Sequence, residues 1–102
     1  MKNVNVEVVH MRNYGKTSKR IDGGVYVYCG RPSKLGNPYN RWNNGTREQN
    51  IEACKNDKQW NVVLDEFVNW VKEQEPAELK LGCFCAPLAC HCDIIKAAID
   101  EN

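Results

Sequence analysis

Val25-Tyr26-Val27-Tyr28-Cys29 is the stretch that decides the fold. It is β-branched and aromatic throughout, which predicts a second, central strand. Such a strand needs partners. Upstream, Val4, Val6 and Val8 alternate with Asn3, Asn5 and Glu7, the period of a half-buried strand. Downstream, Leu79, Leu81, Cys83 and Cys85 alternate around Lys80, Gly82 and Phe84, which predicts a third short strand. Residues 12 to 24 are polar and basic and end in Asp22-Gly23-Gly24, so a mobile loop closed by a turn is expected there.

Helical signals fill the span between the second and third strands. Thr46-Arg47-Glu48-Gln49 matches a capping box and opens a helix through about residue 54. Asn56 or Asp57 caps another, in which Trp60, Val63, Leu64, Phe67 and Val71 recur on one face until Glu75-Pro76 ends it. A last helix starts near residues 90 to 93 and buries Ile94, Ile95, Ala98 and Ile99. With 102 residues the chain fits one α/β domain over residues 1–102. The expected architecture is a small three-stranded, at least partly parallel sheet with crossover helices and a C-terminal helix, a Rossmann-like fragment. Parallel second and third strands end on the same sheet edge, where open α/β sheets bind ligands. Two loops of odd composition leave that edge: Gly30-Arg31-Pro32-Ser33-Lys34-Leu35-Gly36-Asn37-Pro38-Tyr39 and the turn after Cys85.

The formal net charge of +1 provides no global field toward nucleic acid or an acidic membrane. Local basic groups remain, at Lys16, Lys19 and Arg20 and at Arg31, Lys34 and Arg41. Contact of the first group, with Tyr14, to nucleic acid is the weaker expectation, and a solvated loop the stronger. Residues 1 to 9 lack the apolar run of a signal peptide and no stretch reaches membrane-span length, so a cytoplasmic protein is expected, in the host cytoplasm if the source is viral. Asn44-Gly45-Thr46 has the form of a glycosylation acceptor but carries no weight in that compartment.

Four of the six cysteines crowd into residues 83–92, which argues against a disulfide scaffold, because bridges between near neighbours close tiny, strained loops. Three readings stay open for the segment Cys83-Phe84-Cys85-Ala86-Pro87-Leu88-Ala89-Cys90-His91-Cys92-Asp93. Cys83, Cys85, Cys90 and His91 (or Cys92) have the donor chemistry for zinc, although the one-residue spacing within each pair is tighter than zinc knuckles use. Cys90 at a helix start has the setting of an activated thiol, with His91 and Asp93 beside it as base or acceptor. The thiols can also be small core residues, as expected for Cys29 and Cys54. Across the edge, Arg31, Ser33, Gly36 and Asn37 offer a guanidinium fork, a hydroxyl and turn amides to an anion.

At these two segments the chain resembles the domain of unknown function 4326 family of bacteria and their phages. The resemblance rests on Gly30-Arg31-Pro32-Ser33-Lys34-Leu35-Gly36-Asn37-Pro38, on Thr46-Arg47-Glu48 and on Cys83 to Asp93, over about residues 25 to 100. Cys92 stands where the family pattern has Gly, so the resemblance points to Cys83, Cys85, Cys90, His91 and Asp93. It implies a site and a fold, not a reaction. The expected function is therefore a small pocket protein for a nucleotide-like or other phosphorylated ligand. That ligand would lie between Arg31, Ser33, Gly36 and Asn37 and the last helix, with Cys90, His91 and Asp93 poised for chemistry. The alternatives are a zinc-stabilised, non-catalytic interaction module and a phage effector that binds a host protein.

Overall fold

The computed structural model describes residues 3–31, 33–39, 45–86 and 88–102; Pro32, Arg41, Asn44 and Pro87 lie outside the described residues. The strands are β1 (Asn5–His10), β2 (Lys19–Ile21), β3 (Gly24–Tyr28) and β4 (Glu78–Cys83), and the helices α1 (Arg47–Asn56), α2 (Lys58–Gln74) and α3 (Cys92–Asp100). The sheet order is β1-β4-β3-β2. β4 lies between β1 and β3 and is parallel to both, while β2 runs antiparallel to β3.

The α/β class with a parallel sheet and a C-terminal helix is as expected, but the sheet has four strands rather than three. The additional strand is β2, inside the segment read as a loop. Its Lys19 and Arg20 are exposed on a sheet edge, so no apolar alternation marks it. A two-residue turn, Asp22-Gly23, joins it to β3, with Gly23 at φ +79°. A short 3-10 turn, Met11–Asn13, occupies the start of the same segment. β4 is also shorter than its alternation suggested and ends at Cys83, leaving Cys85 beyond the strand.

Both central helices start on side-chain caps. Thr46 accepts from the Gln49 amide while the Gln49 side chain accepts from the Thr46 amide, completing the capping box. Asp57 accepts from the Trp60 amide and so opens α2. Leu79, Leu81, Val27 and Cys83 face Trp60, Leu64, Val68 and Val71 of α2 and Ile95 and Ile99 of α3 in one apolar core. Among the described residues no helix is long and apolar enough to cross a membrane.

The opposite face carries Tyr26, whose neighbour Gly82 has no side chain: a Cβ there would lie 2.0 Å from the Tyr26 hydroxyl. The residue 11–18 segment covers this face. Tyr14 stacks on Tyr26 at 4.8 Å, and the Tyr26 hydroxyl donates to the Gly15 carbonyl at 2.7 Å. Ser18 accepts from the Tyr28 amide at 3.1 Å. Burial pushes the Tyr26 phenol up to about 12, so it stays a donor through the neutral range.

Two outcomes test this face. Gly82→Ala is expected to lower unfolding free energy by about 1–3 kcal/mol through overpacking, and the loss should shrink in a Tyr26→Ala background. A urea titration of the four-member cycle measures both. A raised phenol favours the folded chain only while protonated, so stability should fall as pH rises from about 10 to about 12. Tyr26→Phe, with no phenolic proton to lose, should flatten that part of the alkaline profile.

Candidate functional site

Three parallel strands deliver their carboxyl ends to one edge. The Cys29 amide donates to the Gly82 carbonyl at 2.9 Å, which continues the β3–β4 ladder and sets Cys29 beside Cys83. From Cys83 the chain leaves the sheet, turns with the Leu88 amide donating to the Cys85 carbonyl at 2.6 Å, and returns at Cys90. Cys90 Sγ lies 3.2 Å from Cys83 Sγ. Cys92, the first residue of α3, adds a third sulfur, and the three lie within 4.8 Å of one another, all buried. A tetrahedral ion with bonds of about 2.3 Å to thiolates holds sulfurs roughly 3.8 Å apart, inside the observed spread. The donors therefore fit zinc in type and spacing.

The electrostatics agree. The Cys83 thiol is pulled well below its ordinary value because the Cys90 and Cys92 thiols donate to it; the amides of Ala86 and Cys85 also point at its sulfur. Cys90 and Cys92 are correspondingly pushed up, Cys90 by its contact with Cys83 and Cys92 first by its contact with Cys29. Cys54, in contrast, is a core thiol that burial pushes up to about 12.

The remaining residues of the segment have other partners. His91 Nε2 meets the Cys29 carbonyl at 2.6 Å, and only a protonated Nε2 satisfies a carbonyl, so that nitrogen donates. Burial lowers its basicity, consistent with a neutral ring, and Trp60 packs against it edge-on at 6.4 Å. Asp93 accepts from the Cys90 amide at 3.1 Å and so shapes the entry to α3. Cys85 is half-buried against the core and lies outside the three-sulfur group.

Above the sulfurs opens a cleft of about 800 Å³. Gly30, Arg31 and Asn37 form one wall, Thr46, Arg47 and Asn50 of the α1 start a second, and Phe84, Leu88, Cys83 and Cys90 the third and the floor. Arg31 faces this space, and its own carbonyl accepts from the Tyr28 hydroxyl at 2.8 Å. Asn37 has a different duty: its amide group donates to the Asn50 carbonyl at 3.2 Å and its oxygen accepts from the Tyr39 amide at 2.9 Å. Ser33 and Gly36 lie behind the wall in successive turns, Ser33 amide to Gly30 carbonyl and Gly36 amide to Ser33 carbonyl, each 2.9 Å. Among the described residues the buried Ser33 hydroxyl has no hydrogen-bond partner.

Sequence reasoning passed over Arg47, Asn50, Phe84 and Leu88, and it set Cys29 and Cys92 aside. Arg47 donates to the Ala89 carbonyl at 3.3 Å and ties α1 to the cysteine turn. Asn50 is buried at 6% relative exposure, and among the described residues its side-chain oxygen has no partner. Phe84 and Leu88 are 61% and 60% exposed at the rim, where His10 and Lys16 approach the Phe84 ring. The signal for Phe84 and Leu88 was present, as large apolar residues in a turn otherwise made of Cys, Ala and Pro. For Arg47 and Asn50 no local pattern exists, since only the packing of α1 brings them to the cleft.

The family model of the Domain of unknown function (DUF4326) matches residues 12–101, and the chain belongs to that family. The match takes in the basic segment and β2 as well as the two motifs. No curated protein and no solved structure matches the chain.

Asn37→Ala is expected to act on stability rather than directly on a ligand. Two hydrogen bonds of about 0.5–1.5 kcal/mol each are lost, so unfolding free energy should drop by about 1–3 kcal/mol in a denaturant titration.

Proposed function

We propose that this member of the domain of unknown function 4326 family is a metal-thiolate domain whose cleft binds a nucleotide-like or other phosphorylated ligand. The observation that carries the metal is the convergence of three buried sulfurs, from a strand end and a helix start, at the floor of the cleft. Zinc suits an all-thiolate set of this spacing. The amides aimed at Cys83 would support its negative charge in the bound state.

The charge of the cleft supports the anionic ligand. Arg31 and Arg47 stand among its lining residues, and among the described residues no Asp or Glu lines it. Tyr28, Phe84 and Leu88 add apolar and aromatic surface suited to a ring. Binding is favoured over catalysis by Cys90, His91 and Asp93. The His91 Nε2 and the Asp93 carboxylate already hold the backbone of Cys29 and Cys90, and the Cys90 sulfur belongs to the cluster.

Elemental analysis of freshly purified, reduced protein should find about one zinc per chain. Cys92→Ser should lose most of it and Cys54→Ser should keep it. Metal-free wild type that melts cooperatively would sink the metal reading. For the ligand, titration calorimetry with nucleoside mono-, di- and triphosphates should find at least one binder, and Arg31→Ala should weaken it about tenfold or more, some 1.4 kcal/mol. Silence across the whole panel would discard the phosphorylated ligand.

A further inference from the structure

We infer that Cys29 is the fourth ligand of the metal, so that the site is a closed tetrathiolate centre and the cleft ligand never touches the ion. This rests on the metal reading above and goes beyond it by settling which kind of centre it is.

Four observations converge on Cys29. It is fully buried and continues the β3–β4 ladder, so its side chain leaves the sheet on the same face as Cys83. Its thiol interacts with that of Cys92, although its sulfur lies outside the group of three that fall within 4.8 Å of one another. Its backbone is pinned to the α3 entry by the His91 Nε2 at 2.6 Å, which fixes the distance between strand end and helix start. Among the described residues its sulfur otherwise makes a single weak hydrogen bond, at 3.5 Å, to the Val27 carbonyl. A thiol so weakly held is free to turn toward an ion among the other three.

The competing donors are placed less well. Cys85 lies beyond the end of β4 and lines the cleft, and His91, whose Nε2 proton is held by the Cys29 carbonyl, could offer only its Nδ1. Cys83 and Cys90 line the cleft, whereas Cys29 and Cys92 do not. An ion held by all four therefore sits behind two sulfurs as seen from the cleft. Closed four-cysteine sites are structural, while catalytic zinc keeps a position open to water or substrate. The ion would then join the ends of β3 and β4 to α3 and hold the cleft walls in place, leaving recognition to the arginines and the rim.

X-ray absorption on the zinc-loaded wild type tests this without any substitution. Four sulfur neighbours at about 2.3 Å are expected. Three sulfurs with one nitrogen or oxygen would overturn the assignment while leaving the metal reading intact, and a wild type that takes up no metal would overturn both. Cobalt titration supplies the second measurement. Cys29→Ala should lose about a quarter of the sulfur-to-cobalt charge-transfer absorbance and bind cobalt at least tenfold more weakly. Cys85→Ala should match wild type in both. An unchanged Cys29→Ala spectrum and affinity would refute the inference. Inorganic phosphate should leave the wild-type cobalt spectrum unaltered, and a shift on its addition would mean an open position.

Discussion

The parallel ladder that sets β4 between β1 and β3 is the constraint on which the rest of the structure depends. It aligns Val6, Leu79 and Val25, then Val8, Leu81 and Val27, and finally His10 with Cys83. The first two rows place apolar side chains on the helix side of the sheet, and α2 and α3 pack on them. Because the pairing is parallel, three strands end together, and everything chemically unusual in the chain follows one of those ends. Gly82 makes this register tolerable on the other face, where the Tyr26 ring occupies the place of a side chain.

Short polar links then convert an edge into a cleft. The His91 imidazole joins the helix start to the end of β3. Arg47 joins α1 to the turn before Cys90. Asn37 joins the proline-containing loop to α1, and Trp60 donates its indole proton to the Leu35 carbonyl at 3.1 Å. Every one of these bonds runs from a side chain to a backbone carbonyl, so the loops are held by their main chain and the cleft keeps free side chains such as Arg31. Leu35, buried in the core, anchors the same loop by apolar contact.

The sulfur cluster is costly in this setting unless its charge is shared. A lone buried thiolate loses hydration, as the raised Cys54 illustrates. In the cluster, neighbouring thiols and two backbone amides hold the Cys83 thiol well below its ordinary value. A strand end and a helix entry are where amides remain available for this, since neither element has yet consumed them. The same geometry explains why His91 and Asp93 flank the cysteines: both spend their polar atoms on the backbone that presents the sulfurs.

Much of this was legible in the residues themselves. Period-2 alternation gave β1 and most of β4, the capping box and Asp57 gave the starts of α1 and α2, and Glu75-Pro76 gave the stop of α2. The two motif loops also announced a shared edge. These are local features, because strand period, caps and breakers act over a few residues. β2 escaped because an exposed three-residue edge strand has no apolar pattern to show. The membership of the sulfur group was decided by tertiary structure alone. Cys83 and Cys85 alternate in sequence, but the strand ends between them, so Cys85 leaves the face that Cys83 keeps. Cys92 enters because the first turn of α3 swings it back toward the sheet, and Cys29 stands nearby because a parallel partner 54 positions away ends at the same level as Cys83. The sequence by itself determined which side chains could bind a metal or an anion. Only the long-range pairing of strands decided which of them meet, since the separation of sulfurs in space is set by sheet register and helix placement rather than by spacing along the chain.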